Sequence, residues 1–214
     1  MKNLHYQDKS IHYGMGHTRR DRILKLAGNI SGKSVLDVGC ASGYLGKIFK
    51  ERGASFVAGI EVSETAAKKA SETIDRVWSF DIEDDWPQDL KSIKFDVINI
   101  SEVLEHVFNP VSVLKSTVPL LKEDGRIIIT TPNFMTWTNR LRFIFGDFEY
   151  KDQGMFDFGH IRWFTYKYLN KVLKDSGLEI EDEKHIIFPN KLNFILKYWP
   201  SLFAWQFVLK AKKL

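Results

Sequence analysis

Between residue 34 and about residue 133, short β-branched or apolar runs alternate with stretches of helical period. Such alternation predicts a parallel sheet whose strands are joined by crossover helices. The runs that read as strands are Ser34–Val38, Phe56–Ile60, Arg76–Ser79, Phe95–Ile100 and Arg126–Thr131. Helical periodicity covers Tyr44–Arg52, Glu64–Ile74 and Pro110–Leu121, the last closed by the turn signal Glu123-Asp124-Gly125, and a further helix near Thr18–Ala27 leads in. Residues Asn133 to Ile161 break the pattern: they are aromatic, contain Gly146, Gly154 and Gly159, and do not read as one helix. A helix at Tyr166–Asp175, stopped by Gly177, precedes two final strands at Leu178–Ile187 and Ala204–Ala211. The fold class that follows is α/β.

Composition narrows the organisation. A chain of 214 residues, 44% hydrophobic, supports one well-buried core and not two, so residues 1–214 are expected to form a single domain. Residues 134–161 are then an insertion, expected to act as a lid on the acceptor side, because a long irregular stretch inside a compact domain usually serves function. The 31 basic and 27 acidic residues leave a net charge of +4 with no long tract of one sign, so nucleic acid is not an expected partner. Cys40 stands alone, which excludes an internal disulfide or a multi-cysteine metal site and suits a reducing, cytoplasmic setting. Met1 to Ser10 is polar and offers no apolar run for a signal peptide. Ile186 to Leu209 is apolar but broken by Lys191, Asn193, Lys197, Gln206, Pro189 and Pro200, so it does not read as a spanning helix. Its aromatic and basic part, 188–205, is read either as the connection closing the acceptor pocket or as a peripheral contact with the inner membrane surface.

The first candidate site is Val35-Leu36-Asp37-Val38-Gly39-Cys40-Ala41-Ser42-Gly43-Tyr44, a buried strand running into a glycine-punctuated turn that opens a helix. Such a turn lets a ligand approach the backbone where a side chain would block it. Asp37 ends the strand; its charge would repel a dinucleotide pyrophosphate and attract the ammonium of an amino-acid-bearing cofactor. That favours S-adenosylmethionine over a nicotinamide dinucleotide. The next strand ends in Glu61, about 20 residues on, as expected for a carboxylate that accepts from both ribose hydroxyls.

These residues resemble motif I and the following acidic motif of class I S-adenosylmethionine-dependent methyltransferases. Three further segments resemble one branch of that superfamily: Ser79-Phe80-Asp81-Ile82, Phe95 through His106, and Gly125 through the Thr131-Pro132-Asn133 ending. The resemblance implies a Rossmann-like sheet of seven strands, mostly parallel, with helices on both faces and the last strand antiparallel. It implies cofactor contacts from Asp37, Gly39, Ala41, Gly43, Glu61, Asp81, Ile82 and Ser101, with Asp81 and Ile82 flanking the adenine. Ala41 departs from the glycine that many members carry there, but is small enough to leave room for the cofactor.

The sulfonium of S-adenosylmethionine already carries an activated methyl, so the protein must supply alignment and help in removing the acceptor's proton. In Glu102-Val103-Leu104-Glu105-His106, the residues Glu102, Glu105 and His106 fall at i, i+3 and i+4, which places them on one face of a helix that has begun by Glu102. Two carboxylates and an imidazole together are costly unless hydrated, paired or metal-bound. His160 follows the irregular insertion. This combination resembles two metal-dependent groups, the ubiquinone-biosynthesis O-methyltransferases and the small-RNA 2′-O-methyltransferases. By that resemblance Glu102, Glu105, His106 and His160 hold a Mg²⁺ or Mn²⁺ ion that acidifies a substrate hydroxyl. The same residues also admit a metal-free reading, with His106 or His160 as general base and Glu102 and Glu105 orienting it, and a structural one, in which the Glu102-to-His106 run caps and fills the pocket wall and His160 anchors the insertion.

The insertion mixes aromatic faces with Arg140 and Arg142, a composition suited to sugar, nucleobase or lipid-like rings. From Thr131 through Thr165 it resembles methyltransferases that accompany glycosyltransferases in bacterial surface-polysaccharide biosynthesis. The expected activity is O-methylation of a small-molecule or glycan hydroxyl, with ribose 2′-O-methylation of RNA, or a non-catalytic cofactor-binding module, as the alternatives. The sequence says nothing of oligomeric state.

Overall fold

The computed structural model describes residues 17–152, 154–188 and 193–214. The polar terminus Met1–Ser10, Pro189 and Lys191 lie outside the described residues. In chain order the elements are α1 (His17–Ala27), β1 (Ser34–Val38), α2 (Tyr44–Glu51), β2 (Phe56–Ile60), α3 (Glu64–Ala70), β3 (Arg76–Trp78), α4 (Gln88–Lys91), β4 (Phe95–Ser101), α5 (Pro110–Thr117), β5 (Leu121–Pro132), α6 (Trp137–Ile144), α7 (Tyr166–Asp175), β6 (Leu178–Glu183), β7 (Ile186–Ile187), α8 (Asn193–Leu196), α9 (Pro200–Phe203) and β8 (Ala204–Lys213). The strands lie in the order β3-β2-β1-β4-β5-β8-β6, with the two-residue β7 paired on β8. The β3-to-β5 pairs are parallel and β8 is antiparallel to both β5 and β6.

Alternation along the central strands divides the core into two layers. Val35, Val57, Val97, Ile128 and Val208 point to one face, where Ile23, Leu24 and Leu26 of α1 and Leu45 and Phe49 of α2 cover them. Leu36, Ala58, Ile98, Ile127, Ile129 and Leu209 point to the other, beneath Val113 and Leu114 of α5 and Leu169, Val172 and Leu173 of α7. A sheet buried on both faces has continuous apolar strands, which is why β1, β2 and β4 read so clearly in the sequence.

Three boundaries differ from the sequence reading. Helix α5 stops at Thr117 and not at Leu121, because Pro119 lacks the N–H that would continue it; a short 3₁₀ turn at Val118–Leu120 follows. Glu123-Asp124-Gly125 is a bulge within β5 and not a turn, since pairing with β4 jumps from Phe95↔Leu121 to Val97↔Arg126. The expected strand Leu178–Ile187 is interrupted at Lys184-His185, where the buried His185 ring sits between Glu183 and the amide of Val208. The insertion is partly ordered as α6, capped by Thr136, whose hydroxyl accepts from the amide of Asn139. No helix among the described residues is long and apolar enough to cross a membrane.

The order of winding reverses between β1 and β4, which are neighbours in the sheet. Ligands in open α/β sheets bind outside the carboxyl ends of the strands at such a switch point.

Candidate active site

Asp37, near the carboxyl end of β1, is buried and accepts a 2.7 Å hydrogen bond from Nδ2 of Asn99 on β4. Asn99 Oδ1 in turn accepts from the Ser101 hydroxyl at 2.9 Å. Ser101, placed by resemblance on the cofactor's far side, is therefore linked to Asp37 across the switch point. Burial pushes the Asp37 carboxyl up to about 7; the Asn99 hydrogen bond opposes that rise and the charge of Glu61 adds to it. A cation delivered here would be strongly held.

The turn after β1 is built for close approach. Gly39 has φ 74° and Gly43 has φ 80°, and a Cβ at Gly39 would stand 2.5 Å from Cγ2 of Val103. Ala41 also has a positive φ, 47°, so the alanine occupies a conformation that glycine adopts without strain. What holds it there is Glu61: its Oε2 accepts from the Ala41 amide and its Oε1 from the Ser63 amide, both at 2.9 Å. Turn and acid thus meet at the carboxyl edge of the sheet. Both Glu61 oxygens face backbone amides, yet burial still raises its carboxyl above the ordinary range. Asp81 and Ile82 follow β3 at the same sheet edge, where Asp81 Oδ1 accepts from the Glu83 amide at 3.0 Å.

The Glu102-to-His106 segment is not one helix. Glu102 has φ 56°, in the left-handed region, and only Leu104–His106 form a 3₁₀ turn. The expected common face of Glu102, Glu105 and His106 is therefore broken. Glu102 Oε2 pairs with Nη1 of Arg19 on α1 at 3.3 Å, and its Oε1 accepts from the Thr130 hydroxyl. As a metal ligand Glu102 is set apart from the other three candidates, because its carboxylate is already engaged on the α1 side.

Glu105, His106 and His160 do come together, each offering one ligand atom within 4.8 Å of the others. Glu105 is buried and neither carboxylate oxygen has a hydrogen-bond partner. Burial, with Glu102 nearby, drives its carboxyl well above the usual range. His106 Nδ1 lies 2.9 Å from the Gly159 carbonyl and His160 Nδ1 2.8 Å from that of Met155. A carbonyl only accepts, so each Nδ1 carries a proton, and a neutral His106 then keeps its lone pair on Nε2, the state of a ligand or a base. Burial also holds the His106 imidazole below its ordinary pKa and so neutral. The cluster opens on a cavity of about 10 Å³, lined by Glu105, Phe134, Met155, His160 and Trp163 among others, about the room a single water needs.

Three residues enter the site that sequence reasoning did not single out. Asn99 and Arg19 reach it only through pairings across the fold. Asp157, with Oδ2 3.6 Å from His160 Nε2, sits in the insertion among several acids, and nothing in its local sequence distinguishes it.

A family model described as a methyltransferase domain matches residues 11–183. The ubiquinone biosynthesis O-methyltransferase of Actinobacillus pleuropneumoniae is 38% identical over 135 residues, 58% of this chain and 56% of that protein. The chain spans about half the length of the curated relatives it matches. An S-adenosylmethionine-dependent methyltransferase from Mesorhizobium loti superposes with a TM-score of 0.67 at 17% identity, covering 92% of this chain and 99% of that one. The magnesium protoporphyrin IX methyltransferase of Synechocystis, solved with bound S-adenosylhomocysteine, superposes with a TM-score of 0.64 at 17% identity over 92% and 84% of the two chains. By its matched domain and its sheet, the chain belongs to the class I S-adenosylmethionine-dependent methyltransferase family.

Proposed function

We propose that the protein transfers the methyl group of S-adenosylmethionine to a hydroxyl of a small molecule or glycan. The observation that carries this reading is the buried, unpartnered Glu105 carboxylate beside the imidazoles of His106 and His160, at the carboxyl edge of the sheet. In the cofactor crevice, Asp37 attracts the ammonium, Glu61 accepts from the ribose hydroxyls, Asp81 accepts from the adenine amine and Ile82 packs on the ring. Gly39, Ala41 and Gly43 keep the backbone accessible, and Ser101 faces the methionyl side.

A buried carboxylate grouped with two imidazole nitrogens fits a divalent cation such as Mg²⁺ or Mn²⁺, so Glu105, His106 and His160 are the residues that would hold one. A bound cation of this kind lowers the pKa of the acceptor hydroxyl. The residues themselves orient the acceptor oxygen toward the methyl, and His106 or His160 takes up its proton as the O–CH₃ bond forms and the C–S bond breaks, leaving S-adenosylhomocysteine. Phe134 and Trp163 line the cavity and put aromatic faces beside Glu105 and His160. The O-methyltransferase names of the relatives support oxygen as the acceptor atom, and the insertion's resemblance to polysaccharide-pathway enzymes supports a glycan or nucleotide sugar. We place the protein in the cytoplasm, with 134–161 closing over the acceptor.

The test is transfer of a deuterated methyl from S-adenosylmethionine to a panel of phenols, catechols and nucleotide sugars, read by mass with Mn²⁺ or with EDTA. Glu105→Gln and His160→Ala should each lower turnover about 100-fold or more while cofactor affinity holds, as expected for groups that act on the proton. Undiminished transfer by both variants, or methyl appearing only on RNA ribose, would overturn the proposal.

A further inference from the structure

Two segments distant in sequence build one exposed aromatic face, at the sheet edge that carries the site. Asn133 Nδ2 donates to the carbonyls of Ser201 and Ala204, its amide donates to Trp205, and Arg140 Nη2 on α6 reaches the Ser201 carbonyl at 3.3 Å. Helix α6 is thereby joined to α9 and the start of β8. On this framework Ile144 is 75% exposed, Phe145 82%, Tyr198 70% and Trp199 56%, with Phe194 and Trp205 at least half exposed as well. Large aromatics held this far out of the core are costly in water, and they are too many to be scattered singly.

The charge pattern says what meets them. The chain has 27 acidic residues, yet none falls between Gly125 and Gly146, or from Phe188 to the end at Leu214. The two segments that build the face carry Arg140, Arg142 and Lys197, and acids resume only at Asp147, which Arg142 already pairs at 2.7 Å. Lys197 Nζ lies 5.1 Å over the Tyr198 ring. Tryptophan and tyrosine with aliphatic neighbours and the flanking cations Arg140 and Lys197, the nearby Asp147 being neutralised by Arg142, is the chemistry of an anionic bilayer interface.

We infer that the α6 tip and the α8–α9 segment form a peripheral docking face for an anionic lipid bilayer. The face goes beyond the methyl-transfer reading and stands whether or not a hydroxyl is the acceptor. It also adjoins the Glu105–His160 cluster, since Phe134, which lines the small cavity there, packs at 5.1 Å against Phe143 of α6.

The experiment is flotation of the full chain with vesicles of phosphatidylcholine alone and of phosphatidylcholine with phosphatidylglycerol. The wild type should float with the anionic vesicles, in a proportion that falls as salt rises, and stay behind with the neutral ones. The surface variants Phe145→Ser and Trp199→Ser, each checked for unchanged far-ultraviolet dichroism and unfolding midpoint, should each lose partitioning about tenfold. Absence of the wild type from anionic vesicles, or partitioning unaltered in both folded variants, would overturn the inference. So would a concentration-dependent dimer in light scattering that the same two substitutions disperse, since the face would then be occupied by a second copy.

Discussion

Asp37 shows how burial of one carboxyl makes stability depend on pH. Its carboxyl, pushed up to about 7 by burial, keeps a proton that the unfolded chain releases near its ordinary value of about 4. A carboxyl whose folded pKa is raised contributes stability below its unfolded pKa and loses it as pH rises through the folded one. The unbound protein should therefore lose this contribution between about pH 4 and about pH 7. Asp96 and Glu181, held down at about 2 by their lysine and arginine partners, act in the opposite sense, and their contribution is lost only as pH falls toward 2. A cofactor ammonium beside Asp37 favours the carboxylate, so binding near pH 6 should release a proton. Calorimetric titration in two buffers of different ionisation enthalpy reads this directly: the wild type should show the release, Asp37→Asn should not, and an equal signal from both would remove Asp37 from the cofactor's reach. Asp37 itself was legible in the sequence because strand, turn and acid are contiguous. Its partner Asn99 was not, because it is 62 positions away and in sequence looks like any polar residue of a β-strand.

At the scale of elements, the segments buried on both faces were readable and the ones shaped by a single local event were not. β1, β2 and β4 carry unbroken apolar runs, whereas α4 is one turn long and leaves no period to detect. The expected face shared by Glu102, Glu105 and His106 failed for a similar reason: helical spacing is uniform only if the helix has started, and Glu102 sits in the left-handed region before it does. The insertion's attachment was legible only as the tripeptide Thr131-Pro132-Asn133. In the structure Asn133 is fully buried, donates twice to the C-terminal segment and accepts from the Met135 amide at 3.0 Å. Asn133→Ala would strand the carbonyl of the buried Ala204 and the Met135 amide, and should cost about 1–3 kcal/mol in urea unfolding. Because the same side chain joins α6 to α9, its loss should also weaken partitioning onto anionic vesicles. A variant as stable as the wild type would mean that the insertion is held by its aromatic contacts alone.

At the scale of the whole molecule, two cores back a sheet whose switch point brings four chain-distant loops to one edge. The turn after β1, the acid after β2, Asp81 after β3 and the cluster after β4 all meet there, and His160 closes the edge from the insertion. The sheet order needs only the alternation of strands and helices, but the cavity beside Glu105 and His160 depends on side chains of the insertion, where sequence period is silent. The account rests on the crevice between the Gly39–Gly43 turn and Glu61 being shaped for an adenosyl amino acid. Calorimetric titration of the full chain with S-adenosylhomocysteine measures that without needing the acceptor or a metal. The account predicts one site per chain, with affinity lowered at least about tenfold, or about 1.4 kcal/mol, in Glu61→Ala. No binding by the wild type, or equal affinity in a folded Glu61→Ala variant, would contradict it.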